Sequence, residues 1–169
     1  MPAEYWLDTN SYIDPSRRFY AFDIAPSYWT AIEDQARSGI VKSPRLVIDE
    51  LLHNGTKPDG SRDELAEWVA ARQELLAAEP TRSVQASFSE IADYVRATYQ
   101  VVHVQTFLRG ADPWVIAHAR AEGGRVVTLE VREQAGKPIK RAKIPDVCDH
   151  FGIECLTPYE MLRRLKLSL

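Results

Sequence analysis

The sequence predicts an α/β fold: a three-layer α/β/α sandwich around a central parallel sheet of about four to five strands, in one domain over residues 1–169. Three observations carry this. Short apolar runs ("EYWL", "IVK", "RVVTL", "IECL") alternate with longer stretches of helical periodicity. That alternation calls for parallel strands covered on both faces and joined by right-handed crossovers. The chain has 169 residues, 45% of them apolar and 27% charged, which suits one domain with a real core. No repeat or low-complexity segment suggests another architecture.

The elements follow in order. Residues 4–7 read as a first strand, and "SYWTAIEDQARS" (27–38) as a helix stopped by Gly39. Residues 40–42 make a second strand. Ser43-Pro44 then opens a helix through His53, with Ser as cap and Pro at the first helical position. After the loop "HNGTKPDGS", Ser61 is expected to cap a long helix to Ala78. Asp63 and Glu64 would favour its N-terminal dipole, and Leu65, Trp68, Val69, Leu75 and Leu76 form its apolar stripe. Pro80 ends it. A further helix covers 87–99. In "GADPWVIAHARAEGG", Asp112 reads as cap, Pro113 as first helical residue and Gly123-Gly124 as terminator. Residues 125–129 are a β-branched strand closed by Glu130. Next come a polar, basic excursion, a short helix in "IPDVCDHFG", a strand in "IECL" and a terminal helix capped by Thr157.

Composition excludes several classes. Twenty-one basic against 24 acidic residues give a net charge of −3, so any nucleic-acid site needs a local basic patch. No apolar run approaches the ~20 residues that span a membrane, and the N-terminus lacks a secretory pattern. Cys148 and Cys155 form no disulfide framework, which fits a cytoplasmic protein. With His150 between them they do not match a standard zinc spacing and read as core residues; His103 and His118 read as structural.

Chemistry concentrates in four acids. Ligands of such sheets bind at the carboxyl ends of the strands. Asp8 ends the first strand, Glu130 ends the 125–129 strand, Asp112 begins the helix leading into it, and Glu50 follows the second strand. At ~100° per residue, Leu46, Val47, Ile48, Leu51 and Leu52 form one apolar arc. Glu50 falls at its edge, half buried but reachable, while Asp49 points to solvent. Each acid also has an ordinary reading. Asp112 is a good N-cap, Glu50 a surface residue, Glu130 loop polarity and Asp8 a cap for the next element. Their joint placement is the specific feature. Two carboxylates about 5 Å apart repel by roughly 3 kcal/mol at an effective dielectric near 20. A cluster of them needs a cation or must protonate, and hard oxygen donors favour Mg²⁺ or Mn²⁺.

Together "LDTNSYI", Glu50 in "VIDELL", Asp112 in "GADPWVIAHARAEGGRVVTLE" and the strand-ending Glu130 resemble the PIN-domain nucleases, over most of the chain and in that family's order. Two departures stand out. Glu130 occupies a position where the family more often has Asp. The insert "VREQAGKPIKRAK" precedes "IPDVC", a form similar to a less characterised bacterial subgroup. Asp146 is therefore an alternative or shared fourth acid. The resemblance implies a PIN-like fold and an endoribonuclease that hydrolyses RNA phosphodiesters to 5′-phosphate and 3′-hydroxyl ends. Mg²⁺ or Mn²⁺ would be held by Asp8, Glu50, Asp112, Glu130 and Asp146, with Thr9, Asn10 and Thr128 in support. It further implies a toxin restrained by a cognate antitoxin, and a chain able to form a homodimer.

Arg17 and Arg18 after Asp8, and Lys137, Lys140, Arg141 and Lys143 after Glu130, are candidate phosphate contacts near the same rim. Phe19, Tyr20 and Phe22 are candidate base-stacking residues. Two other readings stay open. One is a non-catalytic scaffold that binds RNA or protein. The other is a phosphatase with Asp8 as nucleophile, against which Asn10 stands where such enzymes place a second Asp.

Overall fold

The structure, a computed structural model, describes residues 3–134 and 141–167. Among the described residues five strands form one parallel sheet. They are β1 (Tyr5–Leu7), β2 (Val41–Pro44), β3 (Ala77–Ala78), β4 (Arg125–Val127) and β5 (Cys155–Leu156), in the order β3-β2-β1-β4-β5. Tyr5 pairs with Val41 on one side and Arg125 on the other, and Val126 pairs with Cys155. The helices are α1 (Asn10–Asp14), α2 (Pro26–Arg37), α3 (Arg45–Gly55), α4 (Glu64–Ala70), α5 (Gln73–Leu76), α6 (Arg82–Thr98), α7 (Val101–Arg109), α8 (Asp112–Glu122), α9 (Ile144–Phe151) and α10 (Pro158–Arg164). A π-helical turn, Pro15–Phe19, continues α1.

β1 lies at the centre of the sheet, and all three of its residues are buried. The core holds Leu7, Val41, Val47, Ile48, Val115, Ile116, Val126 and Val127, all sealed from solvent. Each such aliphatic side chain stabilises the fold by about 1.5–3 kcal/mol relative to exposure. Between α8 and β4 the chain needs two glycines for different reasons. Gly123 ends the helix at φ 77. A Cβ on Gly124 would lie 2.8 Å from the Trp6 ring, so the turn crosses that ring only without a side chain.

Several local expectations are corrected. Ser61 does not cap a continuous helix to Ala78. Its N–H and hydroxyl both bond Asp59, while Asp63 caps α4 by accepting from Ala66 N–H at 2.8 Å. The helix breaks at Arg72, whose side chain is held by Glu33 at 2.6 Å and stacks over Trp68. After α5, Ala77 and Ala78 pair with Ser43 and Pro44 and add an edge strand, although alanine carries no strand preference to announce it. Ser43 is no cap either. Its hydroxyl donates to the Leu7 carbonyl at 2.9 Å and lies beside the Tyr12 hydroxyl, tying β2 to β1. α6 begins earlier than residue 87, because Thr81 caps it through Val84 N–H. α1 and α7 have no counterpart among the expected elements: α1 is a single short turn, and α7 opens on two β-branched valines of low helix propensity.

Candidate active site

Helices between parallel strands run back against them, so their N-termini lie at the strands' carboxyl edge. That geometry brings Asp112, the first residue of α8, to the rim where β1 delivers Asp8 and β4 leads to Glu130. Asp8 is 2% exposed. Its Oδ1 accepts from Ser11 N–H at 2.7 Å and lies 2.6 Å from the Ser11 hydroxyl; Oδ2 accepts from the Thr128 hydroxyl at 2.6 Å. Asp8 therefore does cap the first turn of α1, while also belonging to the rim. Burial raises its carboxyl to about 6 against these hydrogen bonds, and the Glu130 charge adds to the rise.

Glu50 sits as its helical position implies, half-buried on α3 beside exposed Asp49. Its Oε2 accepts from the Thr9 hydroxyl at 2.8 Å and its Oε1 from Ala111 N–H at 3.0 Å. One carboxylate thus joins β1's end to the start of α8. Asp112 is the first residue of α8 and not its cap: Ala111 holds that position, and its carbonyl takes the N–H groups of Trp114 and Val115. Burial raises its carboxyl to about 7, with Glu130, Asp8 and Glu50 pushing the same way in that order. All four acids therefore share one electrostatic neighbourhood. Glu130 also supports the fold. Its Oε2 accepts the first N–H of α9, from Ile144, at 2.8 Å, and its own N–H donates to Thr128 Oγ1 at 3.0 Å. Asp146 instead accepts from Glu133 N–H at 3.3 Å.

Among the described residues no three carboxylate, histidine or cysteine groups converge as a ready-made ligand set. The reason is visible in the bonds of Glu50 and Glu130, both turned toward backbone N–H groups. The donor chemistry nonetheless fits a hard divalent cation. Asp8 and Asp112 are oxygen donors whose charged forms are disfavoured by burial and by neighbouring acids, Glu130 in both cases, and a cation would relieve both.

Of the supporting residues, Thr9 and Thr128 make the bonds just given; Asn10 is exposed at the start of α1. A cleft of about 210 Å³ is lined by Asp112, Glu130, His103, Thr106, Phe107 and Arg141. Arg141 thus reaches the acidic rim. Lys143 pairs with Glu133 at 3.3 Å, Arg17 and Arg18 are exposed on the π-helical turn, and Lys137 and Lys140 lie outside the described residues. Tyr20 and Phe22 are not free platforms, being stacked on Tyr28 and Trp29; Phe19 is 53% exposed. His118 is buried against Trp6 and held down to about 4 by burial. Ser11 and the α7 residue Thr106 were not among the expected site residues; His103, expected to be structural, lines the same cleft. Ser11 lies three residues beyond Asp8, a spacing at which a carboxylate meets a helix's first N–H groups, and that signal is present in the sequence.

Comparison with known proteins gives three findings. A family model described as "Domain of unknown function (DUF4411)" matches residues 5–169. No curated protein matches the sequence. Two solved structures are similar in fold. VapBC2 from Rickettsia felis, bound to a DNA fragment from their promoter, has a TM-score of 0.51 at 17% identity, covering 82% of this chain and 96% of that one. FitAcB from Neisseria gonorrhoeae has a TM-score of 0.54 at 15% identity, covering 92% and 98%. The expected PIN-like α/β/α architecture is thereby met.

Proposed function

We propose that this chain, which belongs to the DUF4411 family, is a metal-dependent endoribonuclease serving as the toxin of a toxin–antitoxin pair. The observation that carries the reading is the shared neighbourhood of Asp8, Glu50, Asp112 and Glu130, drawn from four separate segments to one sheet edge. Asp8 and Asp112 are the direct candidates to hold Mg²⁺ or Mn²⁺, with Glu50 and Glu130 acting directly or through water. When bound, such a cation supplies the Lewis-acid charge for phosphodiester hydrolysis to 5′-phosphate and 3′-hydroxyl ends.

The chain's own residues set the geometry. Thr128 bonds Asp8 and receives the Glu130 N–H, so a single hydroxyl orients two of the four acids. Thr9 fixes Glu50 in the same way. Asp8 keeps a lone pair on Oδ2 beyond the Thr128 bond, which suits coordination. Ser11 and Thr128 grip both of its oxygens, which favours anchoring over nucleophilic attack on phosphorus. Arg141 offers a phosphate contact beside Asp112 and Glu130. The toxin role draws support from the two fold neighbours, both toxin–antitoxin complexes.

The test compares RNA cleavage by wild type and Asp8→Asn with Mg²⁺, Mn²⁺ or EDTA. Cleavage by wild type alone, abolished by chelator, supports the reading. Equal activity in both proteins, or indifference to EDTA, defeats it. Co-purification with the product of an adjacent small gene, and inhibition by it, tests the pairing.

A further inference from the structure

We propose that the cleft at the ends of β4 and β5 seats one unpaired nucleotide of the substrate, with Arg132 as its phosphate contact; this rests on the ribonuclease reading of the acidic rim. The cleft measures about 300 Å³, and buried Thr128 and Leu156 form its floor. That volume is at the small end of ligand sites and suits one nucleotide, not a base pair. Glu130 lines this cleft and also the cleft of Asp112 and Arg141, and among the described residues no other is common to both. The Thr128 hydroxyl that holds Asp8 belongs to the same floor. A strand that crosses Glu130 therefore passes from one cleft into the other, with the bond to be cut at the acids between them.

The walls suit both halves of a nucleotide. Val131 is 75% exposed at the cleft, an apolar surface that a base would cover. Its carbonyl accepts from Lys143 at 3.3 Å, and Lys143 pairs with Glu133 at 3.3 Å, so the segment is tied down. Only a base free of its pairing partner can leave its stack to reach that surface.

Arg132 supplies the charge. Asp149 holds its Nε and Nη2 at 2.7 and 2.8 Å. A guanidinium carries five N–H donors, so the group is fixed in place with donors left for a phosphate. Glu160, the acid on the α10 side of the cleft, is engaged in its capping box and takes the Thr157 N–H at 2.7 Å. With Arg141 in the neighbouring cleft, an arginine stands on each side of Glu130.

The test reads binding by the full chain carrying Asp8→Asn, with Mg²⁺ present, from the anisotropy of a fluorescein-labelled mixed-sequence single-stranded RNA. Adding Arg132→Ala should weaken binding about tenfold, the loss of one charge-assisted contact, and lower the slope of log affinity against log salt by about one. The Arg132–Asp149 pair is exposed, so its removal should leave the circular dichroism unchanged. Arg96→Ala, at an exposed arginine on α6, should alter neither reading. The same RNA annealed to its complement should bind more weakly, and a photoreactive thiouridine in the single strand should crosslink to the peptide that contains Val131. Binding unaffected by Arg132→Ala, a duplex held as tightly as the single strand, or crosslinks confined to other peptides would overturn the proposal, while Asp8-dependent cleavage would leave the ribonuclease reading standing. A parent protein that binds no RNA, beside a wild type that cuts none, would overturn both.

Discussion

Replacing Asp112 with Asn should stabilise the metal-free protein, and increasingly so as pH rises. The folded chain holds the Asp112 proton up to about 7, whereas the unfolded chain releases it near the ordinary value of 3.8. Between those values the folded state binds more protons, so stability contributed through this group falls with rising pH. Fully developed, the rise corresponds to about 4 kcal/mol, of which somewhat less than half is already present at pH 5. Between pH 5 and 8 the variant should therefore gain on the order of 2–3 kcal/mol over wild type, or roughly 5–10 °C in Tm for a chain of this size. His118 titrates in the opposite sense. Held down to about 4, it adds stability as pH rises from there toward its ordinary value of 6.5, so only the difference between the two proteins isolates Asp112. Thermal unfolding in EDTA across that range is the assay. Mn²⁺ should then raise the Tm of wild type more than that of the variant, because a ligand bound only by the folded state stabilises it. Parallel curves for the two proteins at every pH would refute the reasoning that Asp112 is under electrostatic load.

Asp8→Asn should lose RNA cleavage to background while its circular dichroism stays that of wild type. Thr9→Val removes the 2.8 Å bond to Glu50 and should cost about 1 kcal/mol in urea unfolding, together with a fall in kcat. At Glu130 two variants separate catalysis from capping. Glu130→Ala should lose cleavage and destabilise the chain by about 1 kcal/mol through the uncapped α9, whereas Glu130→Gln should keep the cap and lose only cleavage. Arg141→Ala should weaken RNA binding and reduce the slope of log affinity against log salt by about one, as fluorescence anisotropy would report.

Much of this was legible in the sequence because it is local. The apolar arc on α3 placed Glu50 at its edge from helical periodicity alone, and the glycine stops of α8 and α9 follow from backbone conformation. The alternation of apolar runs and helices determined the parallel sheet. Tertiary structure decided what depends on distant segments meeting. Thr128 reaches Asp8 across 120 positions, and Glu50 reaches Ala111 across 61. Asp112, by motif a cap, became the first residue of α8 instead, because the helix starts one residue earlier and the Ala111 carbonyl takes the N–H groups of Trp114 and Val115. Ala77 and Ala78 became a strand only because β2 offered them a free edge. Periodicity records what each residue does within its own element; which carboxylate shares a field with which depends on how the elements pack.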